Sequence, residues 1–185
     1  LHWFVPIARP KAGEPGKQIE EASEALAAVM AERRKQPLYA QPDGMAIHPI
    51  ASVRLLRQQA GLTAVEGGWR VFIIGDAERL VPQESSQEAA NAMLKLLEEP
   101  PSRSLFILTT VDPRRVLPTI RSRTAPVRLN RLADADVREF LLRYSAEKPS
   151  AAGLEARVSA AGGAIGLAVG ADEEESGKAF RAAAQ

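Results

Sequence analysis

The sequence predicts an α/β fold in which helices flank a parallel sheet, followed by a small helical domain. Two uninterrupted apolar runs of strand length, residues 71–74 and 105–108, suit strands that are covered on both faces of a parallel sheet. Helical patterns precede and separate these runs, and this alternation is typical of α/β domains with crossover connections. Beyond Pro149 the chain becomes rich in alanine and keeps a helical pattern, which indicates the second domain.

The bounds of the predicted elements come from periodicity and from residues that break helices. Pro100 and Pro101 end the helix that begins near Ala89, because a proline ring removes a hydrogen-bond donor and clashes with the preceding turn. Gly67 and Gly68 interrupt the chain before the first long strand. In chain order, the sequence predicts strands within residues 1–7, 69–74, 105–110 and 127–129, helices within residues 18–34, 50–59, 89–99, 133–147, 153–169 and 172–185, and a linker at residues 37–44.

The composition limits the classes of function. The chain has 185 residues, 45% of them hydrophobic, which is ordinary for a folded protein. Its net charge of +1 gives no strong electrostatic potential that would attract nucleic acids or membrane surfaces. It has no cysteine and only two histidines, His2 and His48, which excludes thiolate chemistry and argues against an imidazole metal site. No apolar run approaches the ~20 residues of a membrane span and no signal peptide is evident, so we expect a cytoplasmic location. Because the first residue is Leu1 and not methionine, we expect a fragment of a longer protein.

Polar residues follow both long strands, at the edge where open α/β sheets bind ligands. Asp76 and Glu78 follow the first strand, and Thr109 and Thr110 end the second. An acid at such a strand tip commonly holds magnesium beside a nucleotide, and a polar neighbour orients water or phosphate. The simpler interpretation is that the acids are turn or cap residues and that the threonines merely close a strand.

Arg121 and Arg123 form a third candidate, after a short predicted helix. Guanidinium groups at a helix end suit phosphate recognition, although an arginine pair is also common on a solvated surface. Spacing alone therefore predicts only an α/β domain related to nucleotide binding.

One continuous segment is more specific than these separate features. The stretch VFIIGDAERLVPQESSQEAANAMLKLLEEPPSRSLFILTTVDPRRVLPTIRSRTAPVRLNRL resembles the core of bacterial clamp-loader subunits, which are members of the AAA+ family. The matching parts are a Walker B strand at residues 72–78, a helix ending in Leu-Glu-Glu-Pro-Pro at residues 91–101, a sensor 1 strand at residues 106–110 and a Ser-Arg-Cys motif at residues 122–124. The resemblance implies an AAA+ α/β domain at residues 1–132, without its P-loop region, and a helical lid at residues 133–185.

The chain departs from the family pattern where catalysis requires it. Active members carry Asp-Glu at the strand tip, and this chain has Gly75 and Asp76 there. The sensor 2 arginine of the lid is replaced by Leu167, and Thr124 stands where the motif has cysteine. Glycine cannot ligate magnesium and leucine cannot contact a phosphate. These departures favour the non-hydrolysing delta-prime branch of the family over the gamma/tau ATPases.

The resemblance then implies a role for each candidate residue. Arg123 would be an arginine finger that acts in trans on the ATP of a neighbouring subunit, with its guanidinium exposed and without a carboxylate partner in its own chain. Arg121 would be structural or a secondary contact. The positions at Asp76, Glu78, Thr109 and Thr110 would be degenerate Walker B and sensor 1 positions, inactive in this chain.

The cofactors and partners follow from the same resemblance. It implies no cofactor bound by this chain, ATP and magnesium at the neighbouring subunit, and zinc in a module upstream of Leu1. Its partners would be gamma/tau and delta subunits, the sliding clamp and, through the assembly, primed DNA, with no membrane. Two alternatives remain: a catalytic ATPase that uses Asp76 and Glu78, and a nucleotide-binding α/β module with no clamp-loader role.

Overall fold

The computed structural model describes residues 1–35, 46–62, 68–80, 88–145 and 149–170. Its strands are β1 (His2–Phe4), β2 (Arg70–Ile74) and β3 (Ser104–Leu108). Its helices are α1 (Pro15–Lys35), α2 (Ile50–Gly61), α3 (Glu88–Glu98), α4 (Pro118–Arg121), α5 (Asp134–Tyr144), α6 (Ala151–Ala161) and α7 (Ile165–Gly170), with 3₁₀ turns at Ala77–Leu80 and Pro113–Arg115.

The three strands form one parallel sheet in the order β1-β2-β3. The register pairs Phe72 with both His2 and Phe106, and after the last residue pair of β2 and β3 Thr109 N donates to Ile74 O at 2.9 Å. Parallel neighbours need long crossovers, which α2 and α3 supply here. The predicted α/β class, with both long apolar runs parallel in one sheet, is confirmed.

A cluster of apolar side chains joins this sheet to its helices. Phe72 is fully buried at its centre, with its ring stacked between His2 and Phe106 at centroid distances of 4.9 and 5.2 Å. Leu56 of α2 and Met93 of α3 are buried in the same cluster. Burial of each such side chain contributes about 1.5–3 kcal/mol to the free energy of folding. This packing holds the strands, and therefore their carboxyl ends, in place.

The turn between α3 and β3 shows why the helix ends where it does. α3 ends at Glu98, and Pro100 and Pro101 follow as the sequence predicts. Arg103 then takes a left-handed conformation with φ of 56°, and its carbonyl oxygen accepts from Arg70 N at 2.8 Å. This turn places the start of β3 beside the start of β2.

The chain divides into two compact units, Leu1–Glu32 with Pro42–Pro126, and Arg33–Gln41 with Val127–Gln185. In the second unit, α5, α6 and α7 surround a core of their own, composed of Val137, Leu141, Leu154, Val158, Ala161 and Ala168. Gly163 is required where α6 gives way to α7, since its φ is 83° and a Cβ there would lie 2.6 Å from Leu132 O. The helical pattern predicted at residues 153–169 thus appears as two helices, α6 and α7, separated at Gly162 and Gly163.

One predicted element is wrong, and two lie outside the described residues. Residues 127–129 form no strand, and Val127 and Leu129 are 83% and 92% exposed. A β-strand needs a neighbour for its backbone groups, and the described sheet pairs only β1, β2 and β3. The linker at residues 37–44 and the helix at residues 172–185 fall outside the described residues. Within the ranges given above, no helix is long and apolar enough to cross a membrane.

Candidate functional site

The carboxyl ends of the strands bring the predicted strand-tip residues together. Gly75 follows β2 and its N–H donates to Phe4 O at 2.8 Å, while Ala77 N donates to Thr109 O at 2.8 Å. Asp76 lies between these two bonds in a left-handed conformation with φ of 51°, which Asp tolerates better than most residues. The ladder therefore continues past Asp76 and holds it beside the end of β3.

The acids do not gather into a metal site. Glu78 lies on the 3₁₀ turn and is only 7% exposed, and its Oε2 has no hydrogen-bond partner among the described residues. Thr110 Oγ1 accepts from Asp112 N at 3.2 Å, so this hydroxyl shapes the turn after β3. Across the described ranges, no three His, Cys, Asp or Glu side chains are placed to share an ion. Gly75 has no side chain that could bind a metal, so the residues present do not form the Asp-Glu magnesium site of active family members.

His48 also lies at this edge of the sheet, in a role that its sequence context does not predict. It is 2% exposed, and its Nε2 donates to Gly75 O at 2.7 Å, which fixes the neutral tautomer with hydrogen on Nε2. Burial lowers the pKa of His48 to about 4, partly opposed by this hydrogen bond and by the charges of Asp76 and Glu78. A single histidine in a sequence carries no signal for such a contact, because its partner is a backbone carbonyl 27 residues away.

Arg123 lies on the turn after α4, where Glu98 and Thr119 make the shortest contacts with its guanidinium. Nε lies 2.8 Å and Nη2 2.5 Å from Glu98 Oε1, and Nη1 donates to Thr119 O at 2.9 Å. The side chain is 36% exposed, so the expected accessibility is present. The expectation that Arg123 lacks a carboxylate partner in its own chain is wrong.

The reason for this pairing lies in the helix ends. Glu98 is the last residue of α3, where the negative end of the helix dipole disfavours a carboxylate and favours a nearby cation. The Glu98 side chain is 46% exposed, and an exposed ion pair is worth only about 0–1 kcal/mol. The pair therefore restrains Arg123 without burying its charge, unlike a buried pair, which costs several kcal/mol to break.

The hydroxyl groups on either side of Arg123 fix its backbone. Ser122 Oγ donates to Thr119 O at 3.0 Å, and Thr124 Oγ1 lies 3.3 Å from Ile120 O and 3.2 Å from Arg121 O. Both hydroxyls thus bond to carbonyls at the end of α4. Threonine in place of the family's cysteine keeps this turn ordered.

The fold and these contacts define a parallel α/β domain with polar residues at the carboxyl ends of its strands, the edge at which proteins of this class bind nucleotides. The model of the family described as DNA polymerase III, delta subunit, matches residues 12–133. The chain belongs to this family. The resemblance to bacterial clamp-loader subunits is confirmed at the level of the family.

Curated relatives come from both branches considered above. The chain is 37% identical over 94 residues to DNA polymerase III subunit gamma/tau of Mycobacterium tuberculosis, with 51% of this chain and 15% of the relative aligned. It is 40% identical over 74 residues to subunit delta' of Escherichia coli (40% and 21% aligned) and 36% identical over 83 residues to subunit delta' of Bacillus subtilis (45% and 23% aligned). The chain thus spans less than a quarter of each of these relatives.

Among solved structures, a gamma subunit-related protein from Thermotoga maritima is similar with a TM-score of 0.46 and 23% identity. The superposition covers 79% of this chain and 46% of that protein.

Proposed function

We propose that this chain is a non-hydrolysing clamp-loader subunit of the delta-prime type, which supplies Arg123 in trans to ATP bound by a neighbouring subunit. The observation that carries the proposal is the exposed position of Arg123 on an ordered turn. A finger must reach a phosphate outside its own chain, and an exposed guanidinium with a fixed backbone can do so at little entropic cost. Membership of the DNA polymerase III family supports this choice of reaction.

The chain's own strand edge supports the non-hydrolysing assignment. Gly75 removes the magnesium carboxylate, and the carbonyl oxygen of Gly75 is already occupied by His48. Leu167 on α7 replaces the lid arginine with an apolar side chain. The ATP and magnesium would therefore belong to the neighbour, and Asp76, Thr109 and their surroundings would be remnants of a nucleotide site.

The wider assignment extends this proposal to partners. Gamma/tau and delta subunits would complete a ring with this chain, and the ring would open a sliding clamp and place it on primed DNA. Such work takes place in the cytoplasm of a bacterium, which is where we place the protein. The role of this chain in the ring would be to complete the active site of a neighbouring subunit, while its own strand edge hydrolyses no ATP.

We expect the purified chain to have no ATPase activity, and Gly75→Asp alone to create none. The variant should fold, because a Cβ at residue 75 would meet Val5 Cγ1 at 3.5 Å and Thr109 Oγ1 at 3.9 Å, which are ordinary contacts. Leu167 would still leave the phosphates without their lid arginine. The measurement is phosphate release with magnesium and ATP, and turnover near the enzyme median of ~10 s⁻¹ would contradict the proposal.

The alternative is a catalytic gamma/tau-type ATPase, which the 37% identity to the M. tuberculosis subunit favours. Its acids would be Asp76 and Glu78, and the buried Oε2 of Glu78 without a described partner is the feature that fits it best. Under this alternative, Asp76→Asn and Glu78→Gln should each abolish turnover by the full-length protein. Under the delta-prime proposal, this edge carries out no chemistry, so neither substitution should slow ATP turnover by the assembly.

A further inference from the structure

We propose that Glu98 is a positioning residue for Arg123, a role that rests on the function proposed above. Glu98 Oε1 contacts both Nε and Nη2 of Arg123, and this pair joins the end of α3 to the turn after α4. Glu98 belongs to the Leu-Glu-Glu-Pro-Pro motif at the end of α3. The structure connects that motif to the arginine.

The hydrogen-bond geometry specifies which part of the guanidinium is held. A guanidinium has five N–H donors in a planar fork. Nε and Nη2 contact Glu98 Oε1 at 2.8 and 2.5 Å, and Nη1 contacts Thr119 O at 2.9 Å. Nη2 carries two hydrogens and has one described contact, so one of its hydrogens remains for a phosphate oxygen.

Nη1 makes a second and longer contact, to Ser122 Oγ. Ser122 Oγ lies 3.3 Å from Nη1, longer than the other three contacts, and its own hydrogen is donated to Thr119 O. Glu98 and Thr119 therefore supply the three shorter contacts of the guanidinium, and these contacts order the side chain before it meets a phosphate.

The surroundings of the Arg123 guanidinium explain why a carboxylate is suited to hold it. Glu98 is the last residue of α3, and Thr119, whose carbonyl oxygen contacts the cation, lies in the short helix α4. Without the carboxylate, Arg123 would keep only the Thr119 and Ser122 contacts and would sample more rotamers. A long side chain with partial exposure loses entropy when it binds, and a second anchor reduces that cost.

The test uses the loader assembly reconstituted with the full-length protein and its own neighbouring subunits. Four proteins are compared with the wild type: Glu98→Ala, Glu98→Gln, Arg123→Ala and the double variant Glu98→Ala/Arg123→Ala. Glu99→Gln is the matched control, because it removes the same charge from the adjacent exposed residue, which is not among the described partners of Arg123. Single-turnover ATP hydrolysis at saturating ATP, KM for ATP and thermal midpoints are recorded for each.

We expect Glu98→Ala to slow single-turnover hydrolysis by up to about fivefold, which corresponds to about 1 kcal/mol, the upper end for an exposed ion pair. Glu98→Gln should fall between Glu98→Ala and wild type, since its amide oxygen still accepts from Nε. KM and the thermal midpoint should stay unchanged, and Glu99→Gln should match wild type. In the Arg123→Ala background, Glu98→Ala should have no further effect.

The outcomes separate this inference from the function on which it rests. If Arg123→Ala hydrolyses ATP at the wild-type rate, the proposed trans role fails and the positioning role fails with it. If Arg123→Ala is slow but Glu98→Ala equals wild type, Arg123 acts in trans without help from Glu98. Faster hydrolysis by Glu98→Ala overturns positioning in favour of a restraining contact. Glu98 is only a structural residue if Glu98→Ala slows hydrolysis by the same factor with Arg123 and with Arg123→Ala. The same holds if the slower hydrolysis is accompanied by a matching fall in the thermal midpoint.

Discussion

Replacing Arg123 by alanine is expected to slow ATP hydrolysis at the neighbouring site strongly while the subunits still assemble. An arginine finger contributes about 10³–10⁵ in rate at the site it completes, so the loss at that one site should approach 10³-fold. Turnover by the whole ring should fall by less, because its other sites continue to operate. The substitution should not disturb the fold, since the side chain is partly exposed and its ion pair with Glu98 lies at the surface.

Two further variants identify which property of Arg123 matters. Arg123→Lys should recover little activity, because an ammonium group lacks the planar fork that binds a phosphate in bidentate fashion. Arg121→Ala is the matched control, since Arg121 is an exposed arginine two positions away at the end of α4. The measurement is clamp-dependent ATP turnover with primed DNA, alongside size-exclusion analysis of the assembly.

The pattern of losses decides among the possible interpretations. A slow Arg121→Ala beside a normal Arg123→Ala would move the finger to the other arginine. Normal turnover by both variants would remove the trans mechanism from this chain, although membership of the family would stand. Failure of Arg123→Ala to assemble would instead make the residue part of the subunit interface.

The elements that the sequence predicts well are those whose information is local. The apolar runs at residues 71–74 and 105–108 appear as β2 and β3, since apolar β-branched and aromatic residues favour strands. The expectation that both faces of the sheet are covered is wrong for β3 within the described residues, where Leu105 and Ile107 are 47% and 40% exposed. Pro100 and Pro101 end α3 through their own covalent geometry. Residues 127–129 have apolar side chains at alternate positions, Val127 and Leu129, and so resemble a short strand, but a strand exists only with a neighbour, which local sequence does not specify.

The details of the candidate site depend on contacts between distant residues. The Glu98 partner of Arg123 lies 25 residues away, and the turn between α3 and β3 together with the position of α4 brings the two together. The His48 contact joins the segment before α2 to the tip of β2. The family motif indicates that Arg123 is important, but it gives no information about which groups hold the guanidinium. Departures such as Gly75, in contrast, are visible in the sequence alone.

His48 should make the stability of this chain depend on pH between about 6.5 and 4. Burial lowers the pKa of His48 in the folded state to about 4 from the ordinary 6.5, so the unfolded chain binds a proton more readily than the folded chain. The stabilisation is therefore complete above pH 6.5 and is lost as the pH falls toward 4. At 1.36 kcal/mol per pKa unit, this residue alone should remove about 2 kcal/mol of unfolding free energy between pH 7 and pH 5.

Comparison with His48→Gln isolates this contribution. Glutamine can still donate an N–H to Gly75 O but does not titrate, so the variant should lose about 2 kcal/mol less than wild type between pH 7 and pH 5. Partial burial also lowers the pKa of His2, but His2 is present in both proteins and its contribution cancels in the difference. Urea unfolding followed by circular dichroism at pH 7, 6 and 5 gives the two curves. Parallel curves would mean that the histidine is protonated in the folded protein as readily as in the unfolded chain, and the buried bond to Gly75 would then not hold the neutral ring.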